Sequence, residues 1–291
     1  MGDAFLDADR IRAASFVRHV EIHEALGSTN DRAAGLARDP HVELPALVVA
    51  KRQTAGRGRG PNAWWSADGA LTFSVLLEPG ELGIRTVNWP QLSLATAVAV
   101  CDALAHELAA GAQRAGASSP PVGDGDGVGD DPARCNVKSR LGIKWPNDVM
   151  LDGGKVCGIL IESPGGAAPA KDRLIVGIGI NVNNSWRSAP QSAGEAGVAL
   201  CDNTSRIHDV QQVLMRTLQA MRERIDQLAV DDTHLPTAWQ RLCWLTGQSI
   251  EAESNGSRID GICLGIDTDG TLLVENDFGT QRIRSGSVHV R

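Results

Sequence analysis

Apolar residues along the chain follow two rhythms. Short blocks dense in Val, Ile and Leu recur at 46–50, 71–77, 155–162 and 173–182. Blocks of that length and β-branched content predict strands, so a sheet is the expected scaffold. Between the second and third, Pro90 and Gln91 open an apolar stretch at 92–108 that is too long for a strand and ends near Gly111, which predicts a mostly buried helix. A second helix is marked by spacing. Val210, Leu214, Leu218, Met221, Ile225 and Leu228 recur every three or four residues, one stripe that leaves Arg216, Arg222 and Glu223 on other faces.

The rhythm breaks at 113–136, where Gly, Pro, Ser, Ala and Asp dominate, including the run PPVGDGDGVGDDP. Such a segment buries too little apolar area to offset its ordering entropy. It reads as a disordered surface insertion, tolerated rather than functional, with a partner-binding segment as the other reading. After Trp244 the pattern changes to short strands at 249–253, 259–266, 271–275, 282–284 and 288–290, broken at Asn255-Gly256, Asp269-Gly270 and Phe278-Gly279. That spacing suits a small antiparallel barrel or sandwich. Fewer than fifty residues make a modest core, so this piece is expected to dock on the rest, dividing the chain into 1–244 and 245–291.

A net charge of −7 argues against a general nucleic-acid binder, which neutralises phosphates with surplus Lys and Arg. Any basic site must be local. The six cysteines are scattered without metal-ligand spacing, which suggests reduced, mostly buried thiols rather than zinc or a disulfide framework. The first twelve residues carry three aspartates and no apolar core of a leader, and no apolar run reads as long enough to cross a bilayer. No membrane association and a cytoplasmic location are the resulting expectations.

The strongest chemical signal is KRQTAGRGRG at 51–60, directly after a predicted strand. Glycines alternating with Arg57 and Arg59 let backbone amides approach an anion, and two guanidiniums add forked charge suited to phosphate or carboxylate. Arg and Gly also alternate in RNA-binding segments, so the motif alone is moderately specific. Trp64 and Trp65 just downstream read equally as a lid over a ligand or as core anchors. In GIKWPNDVML, at 142–151, a strand delivers Lys144 immediately ahead of Trp145 and Pro146; a lysine on a stiff, partly apolar segment is costly unless it faces an anion. Asn147 and Asp148 read as a turn ahead of a metal site, and 152–154 as a hairpin turn. Ser28-Thr29-Asn30 opens a helical stretch, an N-cap on the bland reading and a set of polar ligand contacts on the other. Gly177 and Gly179 lie inside a strand, where glycine weakens the structure but permits close approach.

These segments in this order (STN, QTAGRGRG, KWPND and GIGINV) resemble the catalytic domain of biotin protein ligases, and the stretch from 245 on is similar to that family's terminal barrel of the Src-homology-3 type. The resemblance runs from about His23 to the C-terminus and excludes the acidic insertion. It implies an α+β fold: a mixed, largely antiparallel sheet with helices packed mainly on one side, plus the small C-terminal barrel. It also implies ATP and biotin as substrates with Mg²⁺, and the biotin carboxyl carrier protein domain of a carboxylase as partner. By matching positions, Lys144, Arg57 and Arg59 are implied as catalytic. Ser28, Thr29, Asn30, Gln53, Gly56, Gly58, Gly177 and Gly179 are implied to contact biotin or its adenylate, and Asn181 and Arg291 to approach ATP. Metal ligands and a possible homodimer are left open. Where relatives read GRGRRGRxW, Gly60, Pro61, Asn62 and Ala63 precede Trp64, so a later glycine and arginine are missing and loop ordering is in question. About twenty-five residues precede Ser28, too few for the winged-helix repressor domain of many relatives, so DNA binding is not expected. The competing readings are a lipoate or octanoate ligase on the same scaffold and a non-enzymatic nucleotide-binding module.

Overall fold

The computed structural model describes residues 6–115, 140–193, 197–254 and 256–291. Strands β2 (Ala46–Gln53) as far as Ala50, β3 (Leu71–Leu77) and β7 (Leu174–Ile180) are buried on both faces, because successive side chains point to opposite sides and both sides are covered. Leu47, Val49, Phe73, Val75, Val176 and Ile178 join the main core, whereas Ala46, Val48, Leu76 and Ile175 join a smaller one. With β1 (His19–Leu26), β4 (Leu141–Lys144), β5 (Asp148–Leu151) and β6 (Gly154–Glu162) they form a seven-stranded sheet of order β1-β2-β3-β7-β6-β5-β4. Only the β1–β2 pair is parallel.

Helices α3 (Leu92–Ala115), α5 (Val210–Ala229) and α6 (His234–Leu242) contribute to the main core, and α2 (Thr29–Leu36) covers the opposite face. The short α1 (Ala8–Ala13) and α4 (Leu200–Thr204) complete the described helices. The fold is therefore the mixed, largely antiparallel α+β arrangement that the motifs implied. Helix α3 runs past its expected end at Gly111 to Ala115; an interior glycine costs only about 1 kcal/mol, and the residues after it are good helix formers. The low-complexity segment beyond residue 115 lies outside the described residues. The run Thr86–Ala110 corrects one expectation: with mean hydropathy 1.4 it is long and apolar enough to cross a bilayer. In this fold 72% of its most apolar stretch is buried, as a core helix requires.

The C-terminal strands β8 (Ser249–Ser254), β9 (Ser257–Ile266), β10 (Leu272–Asn276), β11 (Gly279–Ile283) and β12 (Ser287–Val290) form an antiparallel sheet of order β11-β10-β9-β8-β12. Gly256, Gly270 and Gly279 take φ of 75°, 83° and 91° at the predicted breaks. Ile250, Cys263, Leu272 and Val288 belong to the same apolar cluster as the large sheet. Two buried tryptophans cross the junction: Trp145 Nε1 donates to the Gly270 carbonyl at 3.0 Å, and Trp239 Nε1 to that of Asp267 at 2.9 Å.

Strand β1 has no counterpart in the sequence reading. Its alternation sets His19, Glu21 and His23 against Val20 and Ile22, too polar to stand out as an apolar block. The parallel ladder with β2 and the packing of Val20 and Ile22 on the core hold it, and an ion pair adds to them. Glu21 accepts from Arg32 of α2 at 2.7 and 2.6 Å and has the His23 ring nitrogen at 3.0 Å. The Arg32 hydrogen bond, aided by His23 and His19 and opposed by burial, lowers the Glu21 carboxyl from 4.5 to about 2.

Phe73 is fully buried in the central strand, so Phe73→Ala should cost about 3–5 kcal/mol, read as a lower denaturant midpoint at unchanged slope. Because the Glu21 pKa is depressed on folding, its stabilisation is complete above about 4.5 and is lost as pH falls toward 2. Glu21→Gln should flatten the pH dependence of unfolding in that window; an identical slope in both proteins would count against the Glu21–Arg32 link.

Candidate active site

The floor of the site is a patch of sheet almost without side chains. Pairing sets Thr72 opposite Gly179 and Gly179 opposite Gly158, and in the next row Ser74 opposite Gly177 and Gly177 opposite Leu160. Residues paired across strands share a face, so the small residues lie together on the side turned from the main core. That absence of side chains is used. A Cβ on Gly177 would run into the Asn30 amide, one on Gly179 into the Trp64 indole, and one on Gly158 would lie 3.2 Å from the same ring.

One wall is the start of α2, where Ser28, Thr29 and Asn30 are buried despite their polarity. Thr29 and Asn30 find side-chain partners, as buried polar groups must. The Thr29 N–H donates to Gln53 Oε1 at 2.7 Å, and its hydroxyl does so at 3.1 Å. The Ser74 hydroxyl bonds Thr29 Oγ1 at 2.7 Å and Asn30 Oδ1 at 2.6 Å. Asn30 Nδ2 donates to Glu162 Oε2 at 2.7 Å. Ser28 occupies the N-cap position with extended backbone, φ −151° and ψ 139°, yet its side chain makes no capping bond. The two readings of this tripeptide therefore coexist, the backbone capping the helix while the side chains line the site.

The opposite wall is the glycine-rich segment, folded back on itself as a hairpin. Trp64 N–H donates to Gly56 O at 2.9 Å, and Gly58 N–H to Asn62 O at 2.7 Å. At the tip Gly60 takes φ 62° and Asn62 Nδ2 caps the Arg59 carbonyl at 3.0 Å. Gly60 and Asn62, part of the departure from the usual pattern, thus close a turn. Arg57 places both guanidinium nitrogens on Glu162, at 2.6 and 2.8 Å, and reaches Asp31 at 2.8 Å. Burial raises the Glu162 pKa, but Arg57 and Asn30 outweigh it and hold the carboxyl below its ordinary value. Arg59 donates to the backbone carbonyl of Gly286, beside β12.

Lys144 closes the site from β4. Ile143 and Trp145 on either side are buried, so the period-two alternation turns Lys144 to the other face. Asn147 follows the turn reading and donates to the Ile159 carbonyl at 2.7 Å. Among the described residues no group of three or more His, Cys, Asp and Glu is placed to hold a metal. Two residues missed in the sequence now appear. Lys155 Nζ pairs with Asp148 at 2.8 Å and stands 5.9 Å from the centre of the Trp64 ring. A lysine and a glutamate in the otherwise apolar block at 155–162 were the available signals for Lys155 and Glu162.

Together these elements enclose a cleft of about 830 Å³. Ser28, Thr29, Asn30 and Gln53 line one side of it, Arg57, Gly58 and Arg59 another, and Lys144, Gly177, Gly179 and Asn181 the remainder. Both Trp64 and Trp65 line it too, Trp64 packed on the glycine floor and Trp65 edge-on to Trp186 at 5.2 Å. Two predicted residues stand apart. Gly56 lies behind the hairpin, where an added Cβ would meet the Trp64 carbonyl at 2.6 Å. Arg291 is not on the cleft; its guanidinium pairs with Asp260 at 2.5 Å and Glu251 at 3.4 Å on the C-terminal sheet.

Residues 23–181 match the biotin/lipoate A/B protein ligase family. The chain is 31% identical over 278 residues to the bifunctional ligase/repressor BirA of Bacillus subtilis, covering 94% of this chain and 74% of that protein. It is 30% identical to the biotin–[acetyl-CoA-carboxylase] ligase of Paracoccus denitrificans, over 90% of this chain and 96% of that one. Among solved structures it resembles the biotin protein ligase of Aquifex aeolicus in complex with biotin and ATP, with a TM-score of 0.72 and 27% identity over 94% of this chain and 99% of that chain.

The glycine floor yields a direct test. Gly177→Ala forces a methyl into the Asn30 amide, so calorimetric titration should show small-ligand affinity reduced at least about tenfold, roughly 1.4 kcal/mol, in a protein that still unfolds cooperatively. Wild-type affinity would mean that Asn30 can move aside without consequence.

Proposed function

The chain belongs to the biotin/lipoate A/B protein ligase family, and from that membership we infer that it is a biotin protein ligase. It activates biotin with ATP to biotinoyl-AMP and passes the biotinoyl group to a lysine of a biotin carboxyl carrier protein domain. The observation that carries the residue assignments is the convergence of a glycine floor, an Arg/Gly hairpin and Lys144 on one cleft.

In the first half-reaction the biotin carboxylate attacks the α-phosphate and pyrophosphate leaves. Both reactants are anions, so the site must offset their repulsion and hold them in line. Arg59 and Lys144 line the cleft and supply positive charge, while Lys155, paired with Asp148, is held beside the same space. Mg²⁺ enters with the substrate, carried in on the ATP phosphates, where such an ion keeps water and few protein ligands. The Trp64 ring, which already covers Gly179 and packs against Gly158, offers a face for the flat bicyclic ring, with Ser28, Thr29 and Gln53 offering polar contacts to the ureido group. Among the described residues Trp64 Nε1 is buried without a partner, which leaves a donor for an oxygen of the bound acyl adenylate.

In the second half-reaction the carrier's lysine amine attacks the anhydride carbonyl and AMP departs with its phosphate oxygen. No covalent enzyme intermediate is required. Between the two steps the hairpin at 56–64 shields the mixed anhydride from water. Free thiols at Cys101, Cys157, Cys201, Cys243 and Cys263 suit a reducing compartment, and we place the reaction in the cytoplasm.

Lys144→Ala should lower biotin-dependent pyrophosphate release by at least about a hundredfold, with the melting temperature unchanged, since charge stabilisation rather than packing is removed. A folded variant that releases pyrophosphate at the wild-type rate would refute the assignment. Calorimetric titration with biotin and with lipoate, with and without ATP, checks the substrate; tighter binding of lipoate would overturn the choice of biotin.

A further inference from the structure

The two arginines of the hairpin sit in different electrostatic settings. Arg59 meets a neutral backbone carbonyl, so its charge remains available to an anion. Arg57 is forked onto Glu162 through both terminal nitrogens and also contacts Asp31. One cation shared by two carboxylates leaves that cluster with a net negative charge. Such a group is poorly suited to draw two further anions together unless the fork breaks, and a bidentate charge-assisted pair is among the stronger polar contacts a protein makes.

Glu162 has a third partner. Its Oε2 accepts from Asn30 Nδ2, while Asn30 Oδ1 bonds Ser74. The amide is thereby fixed in one orientation over Gly177, where there is no room for a methyl group. The last residue of β6 therefore joins the root of the hairpin to the floor of the pocket.

Resting on the biotin-ligase reading, we propose that Glu162 is a positioning residue: it orients Asn30 in the biotin pocket and pins the glycine-rich hairpin through Arg57, which acts through that pair and not as a charge on the reacting phosphate. Removing the pin loosens the pocket and the cover together. It takes no charge from the atoms that react.

The test compares wild type with Glu162→Gln, Arg57→Ala and the double variant in biotin-dependent pyrophosphate release and in dissociation of preformed biotinoyl-AMP. Glu162→Gln and Arg57→Ala should each raise the KM for biotin about tenfold or more and speed adenylate dissociation similarly, with kcat for pyrophosphate release within about threefold of wild type. Arg57→Ala strands the half-buried Glu162 carboxylate without its main partner, so adding Glu162→Gln should recover part of the loss instead of compounding it. Should Glu162→Gln not fold, Glu162→Asp carries the same comparison, since it keeps the charge but withdraws it by one methylene. A kcat loss of a hundredfold in Arg57→Ala, unrelieved in the double variant, would make Arg57 a charge on the reaction and overturn the proposal. Wild-type kinetics in Glu162→Gln would overturn it as well. Wild-type protein that releases no pyrophosphate with biotin and ATP would instead sink the ligase reading, and this proposal with it.

Discussion

The whole site depends on one steric constraint, the lack of side chains on a small area of the sheet. Helix α2 and the Trp64 ring approach the backbone of β7 more closely than any Cβ would permit, and the same ring lies tight against Gly158 of β6. Central strands are normally a place for branched side chains, and glycine weakens them. Here the other face compensates. Val176, Ile178, Ile180 and Ile159, which alternate with the glycines, are buried in the main core and hold the strands in register. The same two strands are thus a packed core on one side and, on the other, a floor without side chains of its own on which Asn30 and Trp64 rest, and the period of two keeps those roles apart.

Charge is handled by local pairing. A chain of net charge −7 must gather cations around anionic reactants without leaving them unsupported between turnovers. Lys155 rests on Asp148, Arg57 on Glu162 and Asp31, and Arg59 on a backbone carbonyl. Each tether orients a side chain of high rotamer entropy before substrate arrives, which lowers the cost of ordering it. The tethers differ in strength, and that difference separates the roles. A carbonyl leaves the Arg59 charge intact, whereas a carboxylate fork cancels that of Arg57.

How much of this could be read from the sequence follows from how far apart the cooperating residues lie. The strand blocks at 71–77 and 155–162, the stripe of α5 and the glycine breaks of the C-terminal sheet are local patterns, and the structure has them close to where the sequence set them. Strand β1 was not legible, because an edge strand with a polar face lacks the apolar density that marks its neighbours, and α6 was hidden by its shortness. In the site, contiguous motifs were visible but their pairings were not. Nothing near Arg57 announces Glu162, more than a hundred residues away in the chain. Burial and register bring them together, and neither can be read from spacing.

The C-terminal sheet bears on the cleft in the same way. Trp145, the neighbour of Lys144, is anchored to the Gly270 carbonyl, and the backbone of Trp244 donates to Ile143 at 2.9 Å. Arg59 reaches Gly286, where φ is 147° and an added Cβ would strike the Glu253 carbonyl, so only glycine brings that strand end so close. Lys144 and Arg59, the two cations assigned to the phosphate, therefore both lean on this sheet, from β4 and from the hairpin tip. A sheet that shares the main core thus also braces both charges, and among the described residues it meets the cleft at the rim formed near β8 and β12.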